Sequence, residues 1–173
     1  MRSSEAAEHR LTIAWSDPIP ALEAAKALSG MEYIEAMATG KFAMSPMAQL
    51  VSLRIEKVEH SKVLLAATPA DFHYNSVGTV HGGFAATVID FATGFATATL
   101  CRVGYGWTTI ELKVNYVRPI TSSTGAVACS GEIVHPGSKI VTSQARLMNE
   151  DAKLLAHGTA TCLLLPWPQQ SHD

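Results

Sequence analysis

The hydrophobic and polar positions of this 173-residue chain fall into three regimes. Residues 19–37 are rich in Ala, Leu, Glu and Lys, start at Pro18 and Pro20, and are followed by Gly40. They predict one helix. After a looser stretch, 40–46, residues 49–59 alternate: Val51, Leu53 and Ile55 interleave with Ser52, Arg54 and Glu56, as in a half-buried strand. Residues 62–68 predict a second strand, with His60-Ser61 as the tight connection. Residues 84–101 are apolar almost all round, with Asp90 their only charge. Their length and Ala content predict a single helix surrounded by the rest of the chain.

Beyond Gly104 and Gly106 the period changes to two. Ile110, Leu112, Val114 and Tyr116 alternate with Thr109, Glu111, Lys113 and Asn115. Further strands are predicted over 125–134, 139–148 and 153–165, separated by the turns His135-Pro136-Gly137-Ser138 and Asn149-Glu150-Asp151-Ala152. The short connections imply antiparallel pairing. One buried helix and about six strands share a core only if the sheet curls around the helix, an α+β arrangement. The division expected is a helical extension over 1–47, a main domain over 48–166 and a flexible tail over 167–173.

Composition narrows the function classes. Apolar residues make up 47% and charged residues 16%, an apolar balance that favours burying surface in a homo-oligomer. A formal net charge of −2 gives no footprint for nucleic acid or an anionic membrane. Cys101, Cys129 and Cys162 are scattered and odd in number, the pattern of reduced core thiols in a cytoplasmic protein. The first 17 residues lack the pattern of a secretory leader. The 84–101 run is about long enough for a bilayer, but Asp90 and its threonines make it a poor span. No membrane association is expected.

The chemistry gathers where the long helix begins. Asn75, His81, Gly82 and Gly83 lead into it, and Asp90 lies within it. A carboxylate among apolar residues is costly to bury without a reason. A glycine pair lets the backbone approach a ligand and offers N–H donors at a helix start. A base plus an oxyanion donor points to acyl chemistry. Gly82 and Asp90 are separated by about 12 Å along a helix axis, too far to act on one carbonyl. An isologous dimer with antiparallel helices would bring Gly82 of one copy to Asp90 of the other, giving two composite sites.

On this reading the Gly82 N–H polarises a carbonyl oxygen and Asp90 is general base or nucleophile. Asn75 donates or positions water, His81 lines the site or braces the loop, and Thr109 holds the water. Each residue also has a plainer reading: a paired or capping Asp90, a turn Asn75, a loop His81, a strand Thr109. No G-x-S-x-G elbow, Walker loop or dinucleotide fingerprint is present. The seven His lack metal-ligand spacing, so neither metal nor cofactor is expected.

The spacing Asn75-x-x-Gly78-x-x-His81-Gly82-Gly83, with Asp90 and Gly94 on the helix, resembles the hotdog-fold acyl-CoA thioesterases. The nearest branch is the phenylacetate-degradation (PaaI-type) enzymes, relatives of the 4-hydroxybenzoyl-CoA thioesterases. Residues 109–116 with Arg118-Pro119, and 153–161, resemble that branch's later strands; the match covers roughly 49–165. The resemblance implies a sheet of about six strands wrapped around one central helix, composite sites in a dimer, and often a dimer of dimers. It implies that Asn75 and Gly82 orient the thioester, that Asp90 comes from the opposite subunit, and that Thr109, or Thr108 one register away, assists. The substrate implied is an aryl- or medium-chain acyl-CoA. Arg118, Lys139 and Arg102 are candidates for its phosphates and Phe84, Phe91 and Trp107 for its acyl end, with Gly83 and Thr108 as further substrate-binding candidates. An acyl-CoA sensor without catalysis, or an enoyl-thioester hydratase, are the alternatives.

Overall fold

Helix α4, Gly82–Ala98, is the element around which the others are arranged in the computed structural model, which describes residues 8–167. Ahead of it come α1 (Ile19–Ala25), α2 (Gly30–Ala38), α3 (Pro46–Leu50), β1 (Arg54–Glu59) and β2 (Lys62–Ala67). After it come β3 (Tyr105–Tyr116), β4 (Val127–Pro136), β5 (Ile140–Met148) and β6 (Leu154–Pro166). The six strands form one sheet in the order β1-β2-β4-β5-β6-β3, with every neighbouring pair antiparallel.

The sheet curls around α4, which touches every strand from β2 to β6. Val88, Ile89, Ala92 and Ala96 of the helix are fully buried against Leu65, Cys129 and Leu147 of the sheet. Helix and sheet meet backbone to backbone at one point. A Cβ on Gly131 of β4 would stand 2.2 Å from the Ala92 carbonyl oxygen, so glycine is required there. Two of the three threonines that weaken α4's helix propensity turn inward and are satisfied locally. Thr93 donates to the Ile89 carbonyl and Thr97 to the Thr93 carbonyl, each at 2.9 Å. Helix α2 lies on β1, and its Ile34 and Met37 join the same apolar cluster as α4.

The single helix expected over 19–37 is instead two. Ser29 accepts from the Glu32 N–H while the Glu32 carboxylate accepts from the Ser29 N–H, and this capping box starts α2 afresh. The strand expected over 49–59 begins only at Arg54. Ser45 caps a helical turn opened by Pro46, so Gln49 and Leu50 are helical.

A third difference bears on the site. The register of β3 against β6 slips between Thr109 and Glu111, making Ile110 the extra residue of a β-bulge. The bulge resets the alternation. Thr109 therefore shares the helix-facing side with Leu112 and Val114, while Ile110 is turned out and 55% exposed. The expected pairing of Thr109 with the polar face is overturned by that one residue.

The tail expected over 167–173 falls outside the described residues except for Trp167, whose N–H donates to the Gly104 carbonyl at 2.9 Å. Among the described residues, no helix is long and apolar enough to cross a membrane.

Candidate active site

The loop before α4 is shaped by Asn75. Its side-chain oxygen accepts from the N–H groups of Val77 and Thr79, and its amide donates to the Thr79 hydroxyl at 3.0 Å. Gly78, at φ +84°, makes the left-handed bend that closes this turn. Asn75 thus holds the loop, and one of its two amide hydrogens is taken up there.

His81 is the N-cap of α4. Its Nδ1 accepts from the Gly83 N–H at 2.8 Å, which puts the neutral ring's hydrogen on Nε2. The Phe84 N–H goes to the His81 carbonyl. The Gly82 N–H finds no acceptor among the described residues and is the open donor at the positive end of the helix. Tyr116 completes this corner: its hydroxyl donates to the Gly82 carbonyl at 3.2 Å. A Cβ on Gly82 would meet the Tyr116 ring at 3.0 Å, so glycine leaves room for the aromatic. Asn75, His81, Gly82, Tyr116 and Arg118 line one cleft of about 360 Å³.

Two turns on, Asp90 sits in a second cleft of about 430 Å³ with Thr87 and Thr109. The Thr109 hydroxyl donates to Asp90 Oδ1 at 2.9 Å. No Lys or Arg pairs with this carboxylate among the described residues. The side chain is half-buried rather than enclosed, in a cleft between α4 and β3. One carboxylate oxygen is held by a neutral donor, and the other is open to the cleft.

The candidate residues therefore fall into distinct places. Asn75, His81, Gly82 and Arg118 are together; Asp90 and Thr109 are together; the two groups share no cleft in one chain. Thr108 is exposed, and its neighbour Thr109 holds Asp90. Gly83 and Phe84 border a third, apolar slot beside His81. Lys139 lies with Arg102 and Tyr105 in a separate cleft past the end of α4. Phe91 and Trp107 pack against the apolar core, so of the three aromatics considered for the acyl end only Phe84 borders a cleft near His81. Sequence reasoning missed Tyr116 and Thr87. Tyr116 read as one more apolar position of the strand. Thr87 sits one turn before Asp90, an i, i+3 spacing that could have revealed it.

Residues 77–156 match the thioesterase superfamily. A thioesterase family protein from Silicibacter pomeroyi has the same fold at a TM-score of 0.68, with 26% identity over 77% of this chain and 98% of that one. A phenylacetic acid degradation-related protein from Ralstonia eutropha JMP134 superposes at 0.70, with 23% identity over 76% and 98%. A Streptococcus mutans UA159 protein bound to acetyl CoA superposes at 0.60, with 20% identity over 68% and 91%. Among curated proteins, a candidate esterase of Caenorhabditis elegans is 27% identical over 111 residues. The match spans 64% of each chain. A candidate esterase of Saccharolobus solfataricus is 25% identical over 60% of this chain and 71% of its own. The wrapped sheet around α4 is thus the hotdog fold that the Asn75–Asp90 pattern led us to expect.

Proposed function

We propose that this chain, a hotdog-fold protein of the thioesterase superfamily, hydrolyses the thioester of an aryl- or medium-chain acyl-CoA to the free acid and CoA. The observation that carries this reading is the Thr109–Asp90 pair. A carboxylate with one oxygen fixed at 2.9 Å and no cationic partner among the described residues suits a base better than a structural ion pair. The acetyl CoA complex of the Streptococcus relative supports a CoA ester as the ligand class.

The reaction follows from these groups. The thioester oxygen accepts from the Gly82 N–H, and Asp90 removes a proton from water as its oxygen bonds to the carbonyl carbon. Collapse of the tetrahedral adduct breaks the C–S bond and releases the CoA thiolate, which takes up a proton. Attack by Asp90 itself, followed by hydrolysis of the anhydride, gives the same products. Thr109 fixes the carboxylate and does not touch substrate.

Because Gly82 and Asp90 of one chain open into different clefts, the site is completed by a second copy. The free edge supports this. Among the described residues strand β3, 12 residues long, pairs only with β6, and Ile110 on its face away from α4 is exposed. Such an edge is a template for pairing with another chain. An isologous dimer joined along β3 would set Gly82 of one copy against Asp90 of the other. A dimer of such dimers is consistent with the apolar composition.

The test is thiol release from a panel of aryl and aliphatic acyl-CoAs by wild type and Asp90→Asn. Release that falls about 10²–10⁴-fold in a folded Asp90→Asn protein is the expected result. Equal rates in the two proteins would make Asp90 structural, and binding without any release would make the protein a sensor.

A further inference from the structure

The third cleft is a slot of about 300 Å³ between α3 and the first two turns of α4. Its walls are Met47, Leu50 and Val51 on one side and Phe72 and Phe84 on the other. His73 ties the walls together. Its Nδ1 accepts from the Ala70 N–H and its Nε2 donates to the Leu50 carbonyl, both at 2.9 Å. Its ring also packs on Phe72 and Phe84, at centroid distances of 4.1 and 4.9 Å. Both ring nitrogens of His73 are occupied, so the slot presents mainly carbon, with Tyr74, His81 and Thr87 as the other polar side chains on its lining.

Two shared residues connect this slot to the candidate clefts, and His81 is the one on the Gly82 side. His81 lines both the slot and the cleft holding Gly82 and Arg118. Thr87 lines both the slot and the cleft holding Asp90. A thioester whose oxygen sits on the Gly82 N–H therefore has two exits, one polar and bearing a cation, the other apolar and braced.

We infer that the slot between α3 and α4 receives the acyl group, that the CoA arm leaves past Arg118, and that Met47 and Phe72 set which acyl groups fit. The inference rests on the proposed function for the position of the thioester. A cavity of about 150 Å³ suffices for one benzene ring. The slot therefore has room for one aromatic ring on a short linker or a chain of about eight carbons. Met47 and Phe72 are 47% and 48% exposed at its rim, whereas Val51 and Phe84 are buried in its floor. The rim is thus where size changes are tolerated by the fold. Both rim residues precede the 77–156 segment, so acyl preference is set by a part of the chain outside the superfamily match.

The experiment reads binding alone. Calorimetric titration with S-ethyl-CoA and S-octyl-CoA, thioethers that cannot be hydrolysed, gives an affinity ratio for wild type, Met47→Trp and Phe72→Ala. Burying the longer chain predicts a preference for S-octyl-CoA of about tenfold or more in wild type. Filling the rim in Met47→Trp is expected to bring the ratio to within about threefold of unity. Phe72→Ala is expected to shift the preference toward S-dodecyl-CoA. An unchanged ratio in a Met47→Trp protein with a wild-type melting profile overturns the slot, as does a wild type that binds both thioethers equally. Chain-length preference that Met47→Trp abolishes, in a protein that releases no thiol from any acyl-CoA, supports the slot while removing the hydrolase.

Discussion

The Thr109 hydroxyl lies 2.9 Å from Asp90 Oδ1, and the residue that allows it is the bulged Ile110 next door. Without the extra residue, Thr109 would alternate onto the opposite face of β3 from Leu112 and Val114. Thr109→Val removes the donor at nearly constant volume. A hydrogen bond to a charged group contributes about 1.5–3 kcal/mol, so kcat should fall about tenfold or more while KM changes little. Thr109→Ser should retain most of the rate. Steady-state kinetics on the preferred acyl-CoA, with melting curves for both variants, checks this.

Gly82 is confined by the Tyr116 ring. An alanine Cβ would sit 3.0 Å from that ring, displacing either the aromatic or the helix start. Gly82→Ala should therefore misplace the open N–H and lower kcat by about 10²–10³-fold, the cost of one oxyanion donor, in a protein that still folds. Circular dichroism and kcat measured together test this.

The thiols should be silent in the native state. Burial pushes Cys129 up to about 12, and burial with the neighbouring Cys162 pushes Cys101 up to about 11. Since the thiolate is the reactive form, neither should react with a chromogenic disulfide at pH 8, and both should after denaturation. The same shifts fix a pH dependence. An unfolded thiol ionises near about 8.5 while the folded one stays protonated, so stability is full below that value and declines as pH rises toward 11–12. Cys129→Ala should flatten that alkaline decline in chemical denaturation.

Ser143 of β5 is buried at 1% exposure, and its hydroxyl has no partner among the described residues. Ser143→Ala should leave stability unchanged or raise it by about 1 kcal/mol, read as an increased denaturation midpoint.

Gly131 is the converse case. A Cβ there would strike the Ala92 carbonyl, and a helix backbone cannot move aside as a side chain can. Gly131→Ala should destabilise by about 1–3 kcal/mol, with an unchanged slope of unfolding free energy against denaturant.

Much of the architecture could be read from pattern. The central helix announced itself by an unbroken apolar run with one charge, β5 by alternation, and β4 and β6 by the turn residues that bound them. The misses have physical causes. The break between α1 and α2 was written in Ser29 and Glu32, a capping signal hidden inside a run of good helix formers. The turn of helix at Pro46 was masked because Val51, Leu53 and Ile55 continue a strand-like rhythm past the true boundary. The bulge at Ile110 left no trace, since a β-branched residue fits either face and only tertiary contacts decide its side. At the candidate site, residue type and spacing singled out Gly82, His81 and Asp90 as candidates. They could not reveal that Asn75 is taken up by its own loop, or that Tyr116 would fold back onto Gly82.

The composite site is tested most directly by mixing two inactive proteins, Asp90→Asn and Gly82→Ala, under conditions that allow subunits to exchange. In a mixed dimer, one site pairs an intact Gly82 with an intact Asp90 and the other pairs both defects. A site shared between copies predicts that thiol release from an acyl-CoA rises from the parental background to about a quarter of the wild-type rate. If subunit exchange is demonstrated and the mixture stays at the level of its parents, Gly82 and Asp90 do not meet across an interface, and the shared site is wrong.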